Sequence, residues 1–230
     1  MIGRKASGGF ALPAPLVGPY KWALSNAGRF DAKQRSLPNF VVAGTQRGGT
    51  TSLFIYLLHH DLVFGPRRAK GVHYFDRDFD RSTDWYRAHF PRRSTLAKLE
   101  AEHGAAPAVG EGAPYYVFNP VIPQRIYDVM PNCKVVVLLR EPLDRAVSHH
   151  NHETQRGFET MDMIEAFERE EERLAGEVER MRNDASYVSL PHIHHAYLSR
   201  GQYAEQLQRC LLYTSPSPRD RTRSRMPSSA

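Results

Sequence analysis

The chain has 230 residues, a hydrophobic content of 41%, two cysteines and a formal net charge of +6. This length and composition suit one globular domain, and no apolar run approaches the roughly 18 to 20 residues of a membrane span. These features exclude a disulfide-rich scaffold and argue against a membrane-embedded chain. We therefore expect a cytoplasmic protein with reduced thiols and no transmembrane segment.

The two ends of the chain differ in composition from the segment between them. Residues 1–37 contain Gly, Pro and Ala without an uninterrupted apolar segment, so we expect an irregular arm that carries no signal peptide. Residues 210–230 lack hydrophobic periodicity, and we expect a disordered tail of translated sequencing adaptor that is not native protein. A natural basic tail is the alternative that this composition supports.

The first predicted element of the domain is a strand that runs through a glycine-rich turn into a helix. Residues 40–44 are apolar, and apolar residues recur at helical spacing over residues 53–58. The unpaired N–H groups of such a turn and the positive end of the helix dipole favour a bound anion. Gly44 and Gly49 have the spacing of a P-loop, but Thr50 stands where nucleotide triphosphatases have Lys.

A second strand followed by a helix is predicted about ninety residues later. Residues 135–139 form a continuous apolar run that is typical of a buried parallel strand, and Pro142 suits the first turn of a following helix. Arg140 then lies at the carboxyl end of the strand, where open α/β sheets bind ligands. A triphosphatase has a metal-binding Asp near this point, whereas Arg140 and Ser148 offer a guanidinium and a hydroxyl to a second anion.

The remaining segments predict helices and no metal site. Residues 161–184 carry more acids than arginines and keep helical apolar spacing, so we expect one or two amphipathic helices with a solvated face. Two histidine groups lack carboxylate or cysteine partners at the spacing of a zinc site. These groups are His149, His150 and His152, and His192, His194 and His195.

The two anion-binding motifs, residues 45–51 and 139–148, resemble the cofactor signatures of a known enzyme family. This family is the sulfotransferases that use 3′-phosphoadenosine 5′-phosphosulfate (PAPS), and the similarity is closest to the heparan sulfate sulfotransferases and their bacterial relatives. The resemblance covers residues 38–209, as a domain that is incomplete at its carboxyl end. It implies a three-layer α/β fold with a parallel sheet of P-loop-like topology and the cofactor at the carboxyl ends of the strands.

The resemblance also implies roles for individual residues of the two motifs. In the family the first loop wraps the 5′-phosphosulfate, and the Arg and Ser of the second motif hold the 3′-phosphate, which correspond here to Arg140 and Ser148. Arg47 takes the place of the usual loop lysine, as a cofactor ligand and as a catalytic cation. The rest of the cradle corresponds to Gly48, Gly49, Thr50, Thr51 and Ser52.

Residues 69–76 resemble the family's stretch in which Lys, Glu, any residue and His precede an aromatic pair. The position of the Glu, which often acts as the base in the heparan sulfate enzymes, is Gly71 here. His73 is the remaining candidate base, because its unperturbed pKa lies near neutrality. The alternative is that His73 packs in the core beside its aromatic neighbours. Asp76 is a candidate to orient His73, and Lys70 a candidate to face the sulfonate, although both also suit a solvated surface.

Residues 109–116 resemble the family's acceptor-cleft stretch, in which Lys follows Glu. Gly112 stands at that lysine position, and Glu111 is a second candidate base. We therefore predict transfer of a sulfonate group from PAPS to a hydroxyl or amine of a carbohydrate, lipid or small molecule, without a metal or a nucleic acid partner. A non-catalytic nucleotide-binding protein of the same fold and a P-loop kinase are the alternatives, and Thr50 and Arg140 argue against the kinase.

Overall fold

The computed structural model describes residues 30–67 and 69–213. Most of the expected arm and residues 214–230 of the expected tail lie outside the described residues. The strands are β1 (Phe40–Gly44), β2 (Val63–Phe64), β3 (Ala108–Gly112) and β4 (Lys134–Val137). They form one parallel sheet in the order β2-β3-β1-β4. Parallel neighbours need crossover connections, and the crossovers here contain helices, so the predicted α/β class is confirmed.

The described residues form ten α-helices and two short 3₁₀ helices. The α-helices are α1 (Thr50–Leu58), α2 (Thr83–Arg87), α3 (Arg93–His103), α4 (Ile122–Val129), α5 (Pro142–Gln155), α6 (Met163–Glu168), α7 (Glu170–Leu174), α8 (Glu177–Asn183), α9 (Leu190–His194) and α10 (Tyr203–Tyr213). The 3₁₀ helices are Ala32–Gln34 and Ser199–Gly201. In the described ranges no helix combines the length and hydropathy of a bilayer span.

Strand β1 is buried on both faces and joins the layers of the domain. Phe40 and Val42 pack with Phe54 of α1 on one face. Because side chains alternate along a strand, Val41 and Ala43 point to the other face. The cluster there includes Ile122 and Ile126 of α4 and the aromatic residues Tyr74, Phe75, Tyr86, Phe90 and Tyr116. Helices therefore cover both faces of the sheet, which confirms the three layers.

Strand β4 is less enclosed than its apolar sequence suggests. It lies at the edge of the described sheet, with β1 as its one neighbouring strand. Val135, Val136 and Val137 are accordingly only partly buried, in contrast to the expected buried strand. Helix α5 begins at Pro142, as predicted, and the segment between the strand and the helix carries Arg140.

Both expected boundaries of the domain fall inside packed segments. At the amino end, Arg35 is 3% exposed, binds the Asp31 carboxylate at 2.6 Å and donates to the carbonyl oxygen of Phe90 at 2.8 Å. At the carboxyl end, α10 continues to Tyr213, and Cys210 packs against the main hydrophobic cluster. Residues 31–35 and Cys210 thus contact the rest of the domain, and the boundaries at residues 38 and 209 stay predictions.

The close approach of Phe40 to Gly110 gives a stability prediction. These residues are paired between β1 and β3, and a Cβ atom at residue 110 would lie 2.3 Å from Cζ of Phe40. We expect Gly110→Ala to lower the free energy of unfolding by about 1 to 3 kcal/mol, because the ring must move within a packed core. In a Phe40→Leu background the added cost should shrink, since the ring is gone. Urea denaturation of the two single variants and the double variant tests this, and strictly additive effects would contradict it.

Candidate active site

A cavity of about 470 Å³ contains both predicted anion-binding motifs. Its lining residues are Gln46, Arg47, Gly49, Thr50, Thr51, Pro114, Arg140, Ser148 and His152. The described lining holds two arginines and no carboxylate, which suits an anionic ligand. The fold therefore joins two motifs that lie about ninety residues apart. Gly48 and Ser52 belong to the same turn but do not line the cavity.

The loop before α1 provides a backbone cradle. Gly49 caps the helix with a φ of 88°, and among the described residues no side chain caps this end. The first N–H groups of a helix have no partner within it, so they are available to an anion and are reinforced by the helix dipole. Gly48 allows the loop to approach the end of β4, because a Cβ atom there would lie 3.0 Å from the carbonyl oxygen of Leu138.

Arg47 points towards the second motif. Its backbone has a φ of 67°, and its Nε donates a hydrogen bond to Ser148 Oγ at 3.0 Å. Arg140 donates from Nη1 to the carbonyl oxygen of Arg47 at 3.3 Å. Arg47, Arg140 and Ser148 therefore form one connected group in the lining of the cavity.

Lys70 lies beside the start of α1 and is not among the residues that line the cavity. Its Nζ donates to Thr50 Oγ1 at 2.7 Å and to Thr51 Oγ1 at 3.3 Å. Burial lowers the pKa of Lys70 to about 8. The sequence left two roles for Lys70, a cation that faces the sulfonate and a solvated surface charge. The hydrogen bonds to Thr50 and Thr51 do not fit a freely solvated charge.

His73 lies outside the hydrophobic core, three residues beyond Lys70. Its side chain is 39% exposed, whereas Tyr74 and Phe75 are buried, so the alternative of a core histidine is wrong. The backbone of His73 has a φ of 61°, and Nδ1 donates to Asp76 Oδ2 at 3.0 Å. Asp76 is 3% exposed, so a buried carboxylate fixes the ring and leaves Nε2 for another group. His73 itself does not line the cavity.

Glu111 is enclosed, with both oxygens engaged. Oε2 accepts from the backbone N–H of Val72 at 2.6 Å, and Oε1 accepts from the hydroxyls of Tyr86 at 2.7 Å and Tyr116 at 3.2 Å. Burial raises the pKa of Glu111, and these hydrogen bonds oppose the rise. A carboxylate at 0% exposure has no access to an acceptor, but through Val72 it holds the backbone next to His73.

The sequence model of the family described as "Sulfotransferase domain" matches residues 37–218. The chain belongs to the sulfotransferase domain family. It is 31% identical over 125 residues to the membrane-associated sulfotransferase kil1 of Dictyostelium discoideum, covering 54% of this chain and 25% of kil1. It is 27% identical over 192 residues to a bifunctional heparan sulfate N-deacetylase/N-sulfotransferase of Drosophila melanogaster, covering 77% of this chain and 17% of the relative. It is 33% identical over 120 residues to the mouse heparan sulfate glucosamine 3-O-sulfotransferase 6, covering 51% of this chain and 31% of the relative.

A solved structure supports the same fold. The crystal structure of a sulfotransferase from Alicyclobacillus acidocaldarius superposes with a TM-score of 0.51 and 29% sequence identity, over 77% of this chain and 69% of that one. The sulfotransferase domain described here spans less than a third of the length of the three curated relatives. Family membership does not favour the P-loop kinase or the non-catalytic alternative.

Two glycines of the sulfotransferase domain stand where the resemblance led us to expect Glu and Lys, and both are closely packed. A Cβ atom at Gly71 would lie 2.7 Å from the carbonyl oxygen of Gly112. A Cβ atom at Gly112 would lie 2.5 Å from Cε of Lys70. The N–H of Gly112 also donates to the carbonyl oxygen of Lys70 at 2.8 Å. The backbones therefore approach too closely for a side chain at residue 71, and the stem of Lys70 occupies the space beside residue 112.

His152 is a cavity residue that the sequence analysis did not assign to the site. It follows Ser148 by four residues on α5, so the two side chains share one helix face, and this spacing is the signal that could have found it. His149 and His192 are buried, and burial lowers the pKa of each to about 3. Within the described part of the chain, no group of three or more His, Cys, Asp or Glu side chains is arranged to hold a metal ion.

A larger cavity, of about 640 Å³, lies among α6, α7, α8 and α10. Its lining includes four glutamates and two arginines, so its charge does not suit a ligand with several phosphates. The glutamates are Glu168, Glu170, Glu171 and Glu205, and the arginines are Arg182 and Arg209. The cavity at the α1 loop is smaller but has the charge that such a ligand needs.

The positioning role of Glu111 gives a second prediction. Glu111→Gln should lower the free energy of unfolding by about 1 to 3 kcal/mol, because its one amide oxygen cannot accept both from Val72 and from the hydroxyls of Tyr86 and Tyr116 as the two carboxylate oxygens do. The exposed Glu102→Gln is the matched control and should change stability by less than about 0.5 kcal/mol. Urea denaturation at neutral pH measures both, and equal effects would show that the enclosed carboxylate does not support this segment.

Proposed function

We propose that this sulfotransferase domain transfers a sulfonate group from PAPS to a hydroxyl or amine of an acceptor. The observation that carries the proposal is the single cavity that joins the N-terminal turn of α1 to Arg140 and Ser148. These residues offer two anion-binding ends in one cavity, as a nucleotide with phosphates on both its 3′ and 5′ oxygens requires. When bound, PAPS supplies the sulfonate group.

Arg140, Ser148 and Arg47 would hold the 3′-phosphate. The hydrogen bond from Arg47 to Ser148 supports a position for the Arg47 guanidinium at this end of the cavity, next to Arg140. Two guanidinium groups and a hydroxyl can together satisfy a doubly charged phosphate. The family resemblance instead implied that Arg47, in place of the loop lysine, is a catalytic cation at the sulfonate. We propose that it binds the 3′-phosphate.

The 5′-phosphosulfate would bind at the start of α1. Gly48 and Gly49 shape the turn, and the N–H groups of Thr50, Thr51 and Ser52 belong to the first helical turn, where an anion is stabilised. Gly48 suits this role because its backbone already lies against Leu138 and Thr45, leaving no room for a side chain there. The cradle therefore fits the phosphate groups that the family uses.

His73 would act as the general base. The buried Asp76 carboxylate accepts from Nδ1, fixes the ring and can stabilise the imidazolium that forms when Nε2 takes the acceptor proton. Glu111, the second candidate, is enclosed by Val72 and two tyrosine hydroxyls, which favours His73 for this role.

The relatives support a carbohydrate as the acceptor, since two of them are named for heparan sulfate. Lipid and small-molecule acceptors stay within the proposal. A cytoplasmic location stays a prediction, supported by two cysteines that are both free thiols.

The 3′-phosphate assignment predicts a nucleotide preference. Adenosine 3′,5′-bisphosphate should bind about two to four orders of magnitude more tightly than ATP with magnesium, because ATP offers no 3′-phosphate and each charge-assisted hydrogen bond contributes roughly 1.5 to 3 kcal/mol. Arg140→Ala should remove most of this difference, whereas the exposed Arg169→Ala should not change it. Isothermal titration calorimetry gives the dissociation constants, and tighter binding of magnesium ATP would rule out the proposed function.

The base assignment predicts a loss of turnover without a loss of nucleotide binding. His73→Ala should lower kcat by about 10² to 10⁴, the usual contribution of a general base, and leave the affinity for adenosine 3′,5′-bisphosphate unchanged. Asp76→Asn should cause a smaller loss, because the amide can still bond the ring but does not stabilise its charge. The exposed His103→Ala is the control. Turnover of PAPS is followed with desulfated heparan sulfate and a phenol as acceptors, and full activity of His73→Ala would assign the base elsewhere.

A further inference from the structure

The side chain of Lys70 extends across Gly112. A Cβ atom at residue 112 would lie 2.5 Å from Cε, 3.0 Å from Cγ and 3.3 Å from Cδ of Lys70, and these are its three nearest neighbours. The aliphatic stem of Lys70 therefore fills the space that a side chain at residue 112 would need. The path of Lys70 to the loop depends on the glycine beneath it.

The ammonium of Lys70 ends in an electrostatically unusual place. It donates to the hydroxyls of Thr50 and Thr51, which belong to the first turn of α1. The N-terminus of a helix carries partial positive charge and disfavours a cation. Throughout residues 30–67 and 69–213, no carboxylate lies within ion-pair distance of this ammonium. An anion would stabilise a half-buried cation at the positive end of a helix, and one of the three donors of Lys70 is left to bind it.

The two positions at which the family resemblance led us to expect a lysine do not provide a cation at this point. Arg47 stands at the first, and its guanidinium binds Ser148 of the second motif. Gly112 stands at the second and has no side chain. Lys70 reaches the loop from a third position in the chain.

From this geometry we propose that Lys70 is a catalytic residue that contacts the sulfonate end of the bound nucleotide, and that Gly112 is the residue that makes room for it. The inference rests on the proposed function and names the cation that this function needs. One lysine from the segment before His73 then replaces both the loop lysine and the acceptor-cleft lysine.

The charge that Lys70 would stabilise follows from the bonds that change. The acceptor oxygen or nitrogen forms a bond to sulfur, and the bond from sulfur to the 5′-phosphate oxygen breaks. The electron pair of the broken bond stays on that oxygen, and the acceptor proton passes to His73. Lys70, held beside the start of α1, stabilises the negative charge on the departing oxygen, where a preorganised cation contributes most.

The first experiment compares two nucleotides that differ at the 5′ end alone. Lys70→Met keeps the aliphatic stem over Gly112 and removes the charge. It should weaken binding of adenosine 3′,5′-bisphosphate about 10- to 150-fold, the loss of one charge-assisted hydrogen bond, and leave adenosine 3′-monophosphate unaffected. Arg140→Ala should weaken both ligands, since both carry the 3′-phosphate. A purely structural role of Lys70 would not separate the two ligands.

A second set of variants tests whether Gly112 makes room for Lys70. Gly112→Ala should reduce the affinity for the bisphosphate and the turnover of PAPS, because the new methyl group displaces Lys70. In Lys70→Ala the space above residue 112 is empty, so Gly112→Lys in that background should restore part of both losses from the new position. A double variant that is no better than Lys70→Ala, when both bind adenosine 3′-monophosphate normally, would overturn the role of Gly112.

The pH dependence distinguishes the ammonium from the hydroxyls around it. Burial lowers the pKa of free Lys70 to about 8, and the charged side chains on the neighbouring elements, Glu111 and Arg47, are bonded elsewhere. The protonated form binds the anion, so the preference for bisphosphate over 3′-monophosphate should decline as the pH rises above about 8. Lys70→Met should show no such decline.

The outcomes separate this inference from the function on which it rests. If Lys70→Met binds both nucleotides like the original chain while Arg140→Ala weakens both, the role of Lys70 is wrong and the proposed function stands. If the original chain binds neither nucleotide, or Arg140→Ala has no effect, the proposed function itself fails and the inference fails with it. If Lys70→Met binds the bisphosphate more weakly but binds adenosine 3′-monophosphate normally, the result supports both the role of Lys70 and the proposed function.

Discussion

The parallel pairing of β1 with β4 continues beyond the ends of both strands, and the site depends on this continuation. The N–H of Leu138 donates to the carbonyl oxygen of Gly44 at 2.8 Å, and the N–H of Thr45 donates to the carbonyl oxygen of Leu138 at 2.9 Å. These bonds hold the loop before α1 against the segment that carries Arg140. Because both strands end at the same edge of the sheet, the backbone cradle and the guanidinium of Arg140 line one cavity although they are far apart in sequence.

A second layer of support comes from a buried carboxylate. Glu111 accepts three hydrogen bonds, one of them from Val72, so it fixes the segment between Lys70 and His73. Close contact between this segment and the end of β3 is possible because residue 71 is glycine, and glycine at residue 112 leaves space for the Lys70 stem. The two substitutions that seemed to remove catalytic groups therefore bring the Lys70 backbone next to β3 and let its side chain reach the loop. The glycine at residue 112 and the path of the Lys70 side chain are parts of one arrangement.

The amino-acid sequence by itself determined the fold class, the strand and helix that flank the loop, and the start of α5 at Pro142. These features follow from local patterns: an apolar run, a glycine-rich turn, helical apolar spacing and a proline at a helix start. The two motifs also carried the family resemblance. Local patterns do not report which strands are neighbours, so the sequence could not predict that β4 lies at the edge of the sheet and is only partly buried.

Only the tertiary structure decided where the cations and carboxylates of the site lie. Arg47 and Lys70 are both long, flexible side chains, and their sequence positions do not show that one reaches Ser148 and the other Thr50. Glu111 follows the apolar start of β3 like an ordinary strand-end carboxylate, but Tyr86 from a segment before β3 and Tyr116 from the turn after it enclose it. Contacts between residues twenty to a hundred positions apart depend on how the layers pack. The physical reason is that periodicity encodes which face of an element is buried, whereas the destination of a charged side chain depends on the packing around it.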